Sequence, residues 1–242
     1  MKHSNPSNFL PALTAGLGIT GLVLGRLLYA LAVDHRGLLV RSHPLALLLW
    51  LLIPAALAVA LIDARVTQNP PHAGPNPPAA LGHGLAAGCV LLGVLTADAA
   101  GLGTAGTVWR IFGLLAALGL LPSARCRLQG RQPGFLCYLA LCLFLLTHLV
   151  SHYRQWCSDP QILDYLFELL GTGLWMLLAY YCASLQVGLI RPRMKRATGL
   201  LTLIFCLAAL GTKGNLWLCL GGAVFSGTEL ICPASATRKE AP

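Results

Sequence analysis

The chain has 242 residues, of which 56% are hydrophobic and only 10% are charged, whereas a soluble domain carries about 25% charged residues. This composition excludes an ordinary soluble globular domain and predicts an integral membrane protein, with the lipid bilayer as its main partner. The formal charge of +9 is typical of nucleic-acid-binding proteins. Here, however, the Lys and Arg residues lie in short segments between apolar runs, which predicts membrane orientation and no nucleic-acid partner.

Successive apolar runs of about 20 residues are long enough to cross a hydrocarbon layer about 30 Å thick as α-helices. They predict an all-α transmembrane helical bundle that forms a single membrane domain over residues 1–242. The predicted spans are residues 9–33, 44–62, 79–97, 105–122, 134–153, 161–189, 197–211 and 215–232. The third and fourth spans, and the seventh and eighth, are separated by short glycine-containing segments. Bundles of six or seven spans are therefore alternatives.

The segment NPPHAGPNPP, residues 69–78, joins the second and third predicted helices. Because proline fixes φ and lacks a backbone donor, this segment is predicted to be a stiff linker. Gly21 and Gly25 have the spacing that lets two helices approach closely in lipid, and so do Gly84 and Gly88. Both pairs are predicted to be sites of tight helix packing.

The distribution of Lys and Arg predicts the orientation of the chain, because cytoplasmic loops carry an excess of these residues. With eight alternating spans, the side shared by both termini collects most of them. The opposite side holds only Arg36, Arg41, Arg154 and Lys213. Both termini are therefore predicted to be cytoplasmic. The inner basic segments SARCRLQGRQ and RPRMKR are interpreted as orientation signals, with lipid or phosphate headgroup binding as the alternative.

The segment YRQWCSDPQILDYLFELL leads into the sixth predicted helix, which Asp159 and Pro160 predict to begin near Gln161. Together with LLYALAVDHRGLLVRSHP, it resembles an uncharacterised family of multi-pass membrane proteins from gut clostridial bacteria. The family pattern is Y-R-x-W-S-x-D-P-Q-x-x-D-Y-x-F-E-L-L, and Cys157 stands where that pattern has Ser. The resemblance implies a multi-pass protein of the bacterial cytoplasmic membrane and implies no activity.

Ionisable residues near the outer ends of the predicted helices give the main functional hypothesis. A charge at the centre of a membrane helix costs about 2.5–3.5 kcal/mol, so such residues face the bundle interior and mark candidate ligand, ion or proton sites. We predict an outward-facing polar cluster formed by Arg26, Asp98, Arg110, His148, His152, Arg154, Asp164 and Glu168. Purely structural ion pairs and a transition-metal site are the alternatives. We assign no metal and no cofactor.

The remaining polar residues of the spans receive simpler interpretations. His83 is interpreted as a buried, hydrogen-bonded group, and Glu229 as an interfacial residue. The motifs of Walker NTPases, zincins and serine hydrolases are absent from the sequence, so no catalytic residue is assigned. The leading functional hypothesis is a transporter or permease component that uses the outer cluster. The alternatives are a non-enzymatic sensing or interaction subunit that binds other membrane subunits, and a membrane-embedded enzyme acting on lipid-linked substrates.

Overall fold

The computed structural model describes residues 6–32, 43–66, 74–97, 103–158, 165–187, 192–212 and 214–232, which form eight α-helices and contain no β-strand. The helices are α1 (Pro6–Leu31), α2 (Pro44–Val66), α3 (Pro77–Thr96), α4 (Gly103–Leu128), α5 (Phe135–Ser158), α6 (Leu166–Gln186), α7 (Pro192–Ala209) and α8 (Leu216–Ile231). Each predicted span has a counterpart among them. The prediction of an all-α helical bundle is therefore confirmed.

Six of the helices, α1 to α6, contain stretches that are long and apolar enough to cross a membrane. Large apolar side chains on their surfaces are more than half exposed, among them Leu51, Leu61, Leu81, Leu118 and Leu136. Lipid stabilises such a surface, whereas water does not. The chain is therefore a multi-pass membrane protein. The 16 residues of α8 extend only about 24 Å at 1.5 Å per residue, which is less than the hydrocarbon thickness.

Contacts between helix ends show that α7 runs in the opposite direction to α2 and α8. Asp63 near the end of α2 contacts Arg196 near the start of α7. Glu229 near the end of α8 contacts Lys195, also near the start of α7. We call this end of the bundle the inner end, because the sequence predicts that both termini lie on this side. The opposite end is called the outer end.

Two large groups of apolar side chains fill most of the bundle, and a smaller third group lies between α7 and α8. The larger group unites α3, α4, α5, α6 and α8, and its fully buried aromatic side chains are Trp109, Tyr138, Phe144, Trp175 and Phe225. The second group packs α1, α2 and α7 against α6 and α8. The helices α6 and α8 contribute to both groups and so connect the two sides of the bundle.

Two basic segments that were interpreted as loops belong largely to helices. The helix α4 continues through Pro122 to Leu128, and α7 begins at Pro192 instead of the predicted residue 197. Neighbouring helices can satisfy the backbone groups that a proline frees inside a membrane helix, and Pro192 occupies the first turn, where no donor is needed. As a result, Arg127 and Lys195 lie on helices, and both are buried.

The start of α3 lies within the segment that was predicted to be a linker. Pro77 and Pro78 form the first turn of α3, where their missing donors leave no hydrogen bond unmade. Asn76 caps the helix, since its Oδ1 accepts a hydrogen bond from the backbone N–H of Ala79 at 3.2 Å. The segment 69–78 thus contributes its last two residues to a helix, and residues 69–73 lie outside the described residues.

The helix α1 packs closely against its neighbours through glycine. A Cβ atom added to Gly25 would lie 2.9 Å from the carbonyl carbon of Gly211, and one added to Gly21 would lie 2.7 Å from a side-chain carbon of α2. Tight packing at this first glycine pair is confirmed. The same prediction for Gly84 and Gly88 is wrong, because an added Cβ at either would meet no described atom within 4 Å. These two glycines lie outside the buried stripe of α3.

The start of α8 depends on a side-chain cap. Asn215 accepts a hydrogen bond at Oδ1 from the backbone N–H of Leu218 at 3.1 Å. We expect Asn215→Ala to lower the free energy of unfolding by about 1 kcal/mol, because one N–H at the helix start loses its partner. Thermal unfolding in detergent measures this change. Asn215→Ser keeps a capping oxygen and serves as the control, so equal losses for both variants would contradict the capping role.

Candidate functional site

A carboxylate, Glu229, is buried among the inner ends of four helices, and its side chain is only 2% exposed. Arg127 on α4 donates from Nη2 to Glu229 Oε1 over 2.5 Å. Lys195 on α7 donates from Nζ to Glu229 Oε2. On α3, His83 Nε2 lies 2.9 Å from Glu229 Oε1, and His83 Nδ1 lies 2.7 Å from Ser123 Oγ on α4. We call these five residues the inner cluster.

The hydrogen bonds of His83 indicate which ring nitrogen carries its proton. An ionised Glu229 only accepts hydrogen bonds, so His83 must donate from Nε2. In the neutral imidazole, Nδ1 then accepts from the Ser123 hydroxyl. The Phe225 ring packs against His83 with a centroid separation of 5.1 Å. His83 is therefore a buried, hydrogen-bonded group, as the sequence predicts, but it belongs to a charged network.

The positions of the charges on their helices explain why they lie together. Glu229 is near the C-terminus of α8 and Lys195 is near the N-terminus of α7. Each helix dipole therefore opposes the charge of its own residue. Arg127 lies in the last turn of α4, where the dipole favours a cation. The contact between Glu229 and Lys195 offsets two unfavourable helix-end charges at once.

The inner cluster carries more positive than negative charge. Arg127 and Lys195 face the single carboxylate of Glu229, so the group has a net charge of about +1 when His83 is neutral. The other titratable groups close to the cluster are Tyr138 and Cys182, which are neutral in their ordinary protonation states. The side chain of Arg127 is only 8% exposed, and its Nε is buried with no hydrogen-bond partner. A surplus cation with an unused donor is thus enclosed at the inner end.

A second acid–base pair lies at the same end of the bundle. Arg196 donates from Nε to Asp63 Oδ2 at 2.7 Å, and the Asp63 side chain is 1% exposed. This pair joins α2 to α7, whereas the inner cluster joins α7 and α8 to α3 and α4. Ionic contacts and the hydrogen bonds of His83 therefore cross-link five helices at the inner end. The cations of these contacts, Arg127, Lys195 and Arg196, come from the basic segments SARCRLQGRQ and RPRMKR and turn inward.

Three residues of the predicted outer cluster lie close together in the structure. His148 on α5 and Glu168 on α6 are both buried, and His148 Nε2 lies 3.4 Å from Glu168 Oε1. The ring of His152 lies 4.1 Å from that of His148, and its Nδ1 is 3.0 Å from the His148 carbonyl oxygen. The fully buried Trp109 contacts both imidazoles. We call His148, His152 and Glu168 the outer group.

The other predicted members of the outer cluster are not gathered with these three. Arg26 is exposed on α1, where its long side chain can extend toward the membrane surface. Arg110 is also exposed, and its Nη2 lies 3.4 Å from the carbonyl oxygen of Ala97 at the end of α3. The structure does not describe Asp98, Asp164 or the side chain of Arg154. The predicted start of the sixth helix near Gln161 also lies outside the described residues, and the described helix α6 begins at Leu166.

The sequence interpretation did not identify the inner cluster. Arg127 and Lys195 were counted as orientation signals, and Glu229 was placed at the interface, although it is 4% exposed within the bundle. The available signal was the position of Asp63 and Glu229 near the ends of apolar helices. Acids are rare in such segments and usually face a partner, and both lie on the side where basic residues are most abundant.

The geometry limits the chemistry that the inner cluster can perform. Ser123, His83 and Glu229 are connected by hydrogen bonds in the same order as the nucleophile, the base and the orienting acid of a catalytic triad. Ser123 is fully buried, however, and Arg127 shares Glu229 Oε1 with His83. The described residues include no group of three or more His, Cys, Asp or Glu side chains that could hold a metal ion. The arrangement is suited to holding an anion between two cations or to passing a proton along hydrogen bonds.

The fold and its buried charges define a multi-pass helical membrane protein with an ionic cluster at one end. Comparison with protein-family models, curated proteins and solved structures finds no match to this chain.

Proposed function

We propose that the protein is a carrier, or the membrane component of a permease, that binds a small charged solute inside its bundle. The bundle would lie in a bacterial cytoplasmic membrane with both termini inside. The observation that carries this proposal is the burial of Glu229 with basic partners from three other helices. Moving charges out of water costs several kcal/mol per ion, and apolar replacements of buried ion pairs are often equally stable. Packing alone therefore does not explain this cluster.

The arrangement of the ionic contacts supports a carrier. At the inner end, the contacts of Glu229 and Asp63 hold α2, α3, α4, α7 and α8 together. At the outer end, His148 and Glu168 connect α5 and α6. If one set of contacts opens while the other stays closed, a solute gains access to one side at a time. The outer group would then serve as the outward-facing part of the same path.

A second candidate is the sensing or interaction subunit, which needs only a closed bundle. A buried aromatic layer favours it, because Phe144, Trp175 and Phe225 are fully buried in the core. Trp175 contacts Phe225 at a centroid distance of 6.2 Å, and Phe225 contacts the inner cluster through His83. A carrier must open this layer during transport, whereas a sensing subunit keeps it closed.

Labelling of native cysteines distinguishes these two functions. Cys182 is buried next to the charges of Lys195, Glu229 and Arg127, and Cys206 is fully buried elsewhere in the bundle. We expect an anionic methanethiosulfonate reagent to modify Cys182 faster than Cys206 in the folded protein, because opening of a carrier admits water to the inner cluster. Mass spectrometry of peptides measures both rates.

Cys182→Ser identifies the signal from this position, and Cys206 reports on global unfolding in the same sample. Equal rates for the two thiols, both following the loss of helical structure, would contradict the carrier. That result would instead support the closed sensing or interaction subunit.

A further inference from the structure

We infer that Arg127 and Lys195 form an anion-binding site and that the carboxylate of Glu229 fills this site when no ligand is bound. An oxyanion group of a solute then displaces the Glu229 carboxylate from these two cations. This inference rests on the proposed function and names the class of solute, a carboxylate or phosphate group that enters from the inner end. A lipid headgroup and a free solute can both supply such a group.

The way in which Glu229 is held is the first observation. Its Oε1 accepts from Arg127 and its Oε2 accepts from Lys195, so the two carboxylate oxygens bridge two separate cations. A ligand carboxylate or phosphate presents the same pair of oxygens, and such charge-assisted hydrogen bonds are the strong ones in proteins. The bridging position therefore has the geometry of an oxyanion site that is already filled.

The unused binding capacity of the cations is the second observation. Arg127 Nε is buried without a hydrogen-bond partner, and the side chain of Arg127 is only 8% exposed. An Arg has five N–H donors and a Lys has three, so Glu229 and Tyr138, which also hydrogen-bonds Arg127, cannot satisfy them all. A second oxyanion can use these donors, and a monoanion would bring the net charge of about +1 to zero.

The surface around the inner cluster favours the approach of an anion. Exposed Arg125 lies two residues before Arg127 on α4, and exposed Arg193 lies two residues before Lys195 on α7. Exposed Arg131 follows the end of α4. Basic residues around a charged site raise the local concentration of anions. When an anion binds, Glu229 leaves the two cations and keeps its contact with His83.

The test is rescue of a Glu229→Gln variant by oxyanions. The purified full-length variant is heated in uncharged detergent with sodium acetate, with sodium phosphate or with sodium chloride at the same ionic strength. A further sample contains phosphatidylglycerol in place of the oxyanion salts. Asp63→Asn is the matched control, since it removes a buried acid at the same end from a pair with one base. We expect an oxyanion to raise the melting temperature of Glu229→Gln by about 5 °C or more relative to chloride, and that of Asp63→Asn much less.

Each outcome decides the inference. Rescue by acetate or phosphate supports a free solute, and rescue by phosphatidylglycerol alone supports a lipid headgroup. Equal responses of Glu229→Gln and Asp63→Asn would overturn the inference. If Glu229→Gln does not fold, Glu229→Asp is used in the same assay, because the shorter side chain cannot bridge both cations. A melting-temperature response of Glu229→Asp no greater than that of Asp63→Asn then overturns the inference.

The rescue assay and the cysteine labelling together distinguish failure of this inference from failure of the proposed carrier function. Oxyanion rescue with equal labelling of Cys182 and Cys206 would show an anion site in a bundle that does not open. Faster labelling of Cys182 without rescue would leave the carrier standing and remove the oxyanion site.

Discussion

Replacing Glu229 by Gln is expected to lower the free energy of unfolding by about 3–5 kcal/mol, because removal of one partner leaves buried charges without compensation. Glu229 accepts hydrogen bonds from Arg127, Lys195 and His83, and its side chain is almost completely buried. Gln keeps the size of the side chain but carries no charge. The unfolding free energy in mixed micelles, measured in chloride buffer by circular dichroism, gives the size of the loss.

The double variant Glu229→Gln/Lys195→Met is the control for this mechanism. It removes one cation together with the acid, so its destabilisation should be smaller than the sum of the two single losses. Additive losses would show that Glu229 and Lys195 act independently, which would contradict the charge network. The comparison uses the same detergent and salt for all variants, because screening changes with ionic strength.

Gly211→Ala is expected to destabilise the contact between α1 and α7 by about 3 kcal/mol, in the upper part of the range for overpacking. A Cβ atom at this position would contact the backbone of Leu22, including its carbonyl oxygen, and would lie 2.9 Å from both its carbonyl carbon and its Cα. Backbone atoms cannot rotate away as a side chain can, so α1 must shift. Thermal unfolding reports the stability, and proteolysis of α1 reports its detachment.

Gly84→Ala is the matched control, because an added Cβ there meets no described atom within 4 Å. The same substitution in open space should change stability by no more than about 1 kcal/mol, which is the difference in helix propensity between Gly and Ala. Similar losses for Gly211→Ala and Gly84→Ala would contradict the proposed close approach of α1 to the turn after α7.

The order of the helices is determined by the sequence, because each apolar run must form its own backbone hydrogen bonds in lipid, whereas six, seven or eight spans are all compatible with the sequence. The sequence does not determine where each helix ends, as Arg127 on α4 shows. Its position in a basic segment predicted a loop facing water, yet α4 continues through Pro122 and brings its side chain into the bundle. The boundary depends on neighbouring helices that satisfy the freed backbone groups, and the sequence does not specify those neighbours.

The outer group illustrates the same limit. The spacing of His148 and His152 places both on one helix face, and this local relation follows from the sequence. Their contacts with Glu168 and Trp109 involve two other helices and depend on how these pack. Arg26 and Arg110, at similar predicted depth, are exposed. Depth along a helix is readable from sequence, but direction around the helix axis is not.

The sequence by itself determined a multi-pass, all-α membrane protein and its helix order, whereas the tertiary structure decided that Gly21 and Gly25 pack closely and that Gly84 and Gly88 do not. Only the tertiary structure decided that His83 and Arg127 meet Glu229, which lies 146 and 102 residues further along the chain. The physical reason is that these helices are apolar on every side, since lipid covers one face and protein the other. Hydrophobic periodicity then gives no sign of which face turns inward, and packing alone sets that choice.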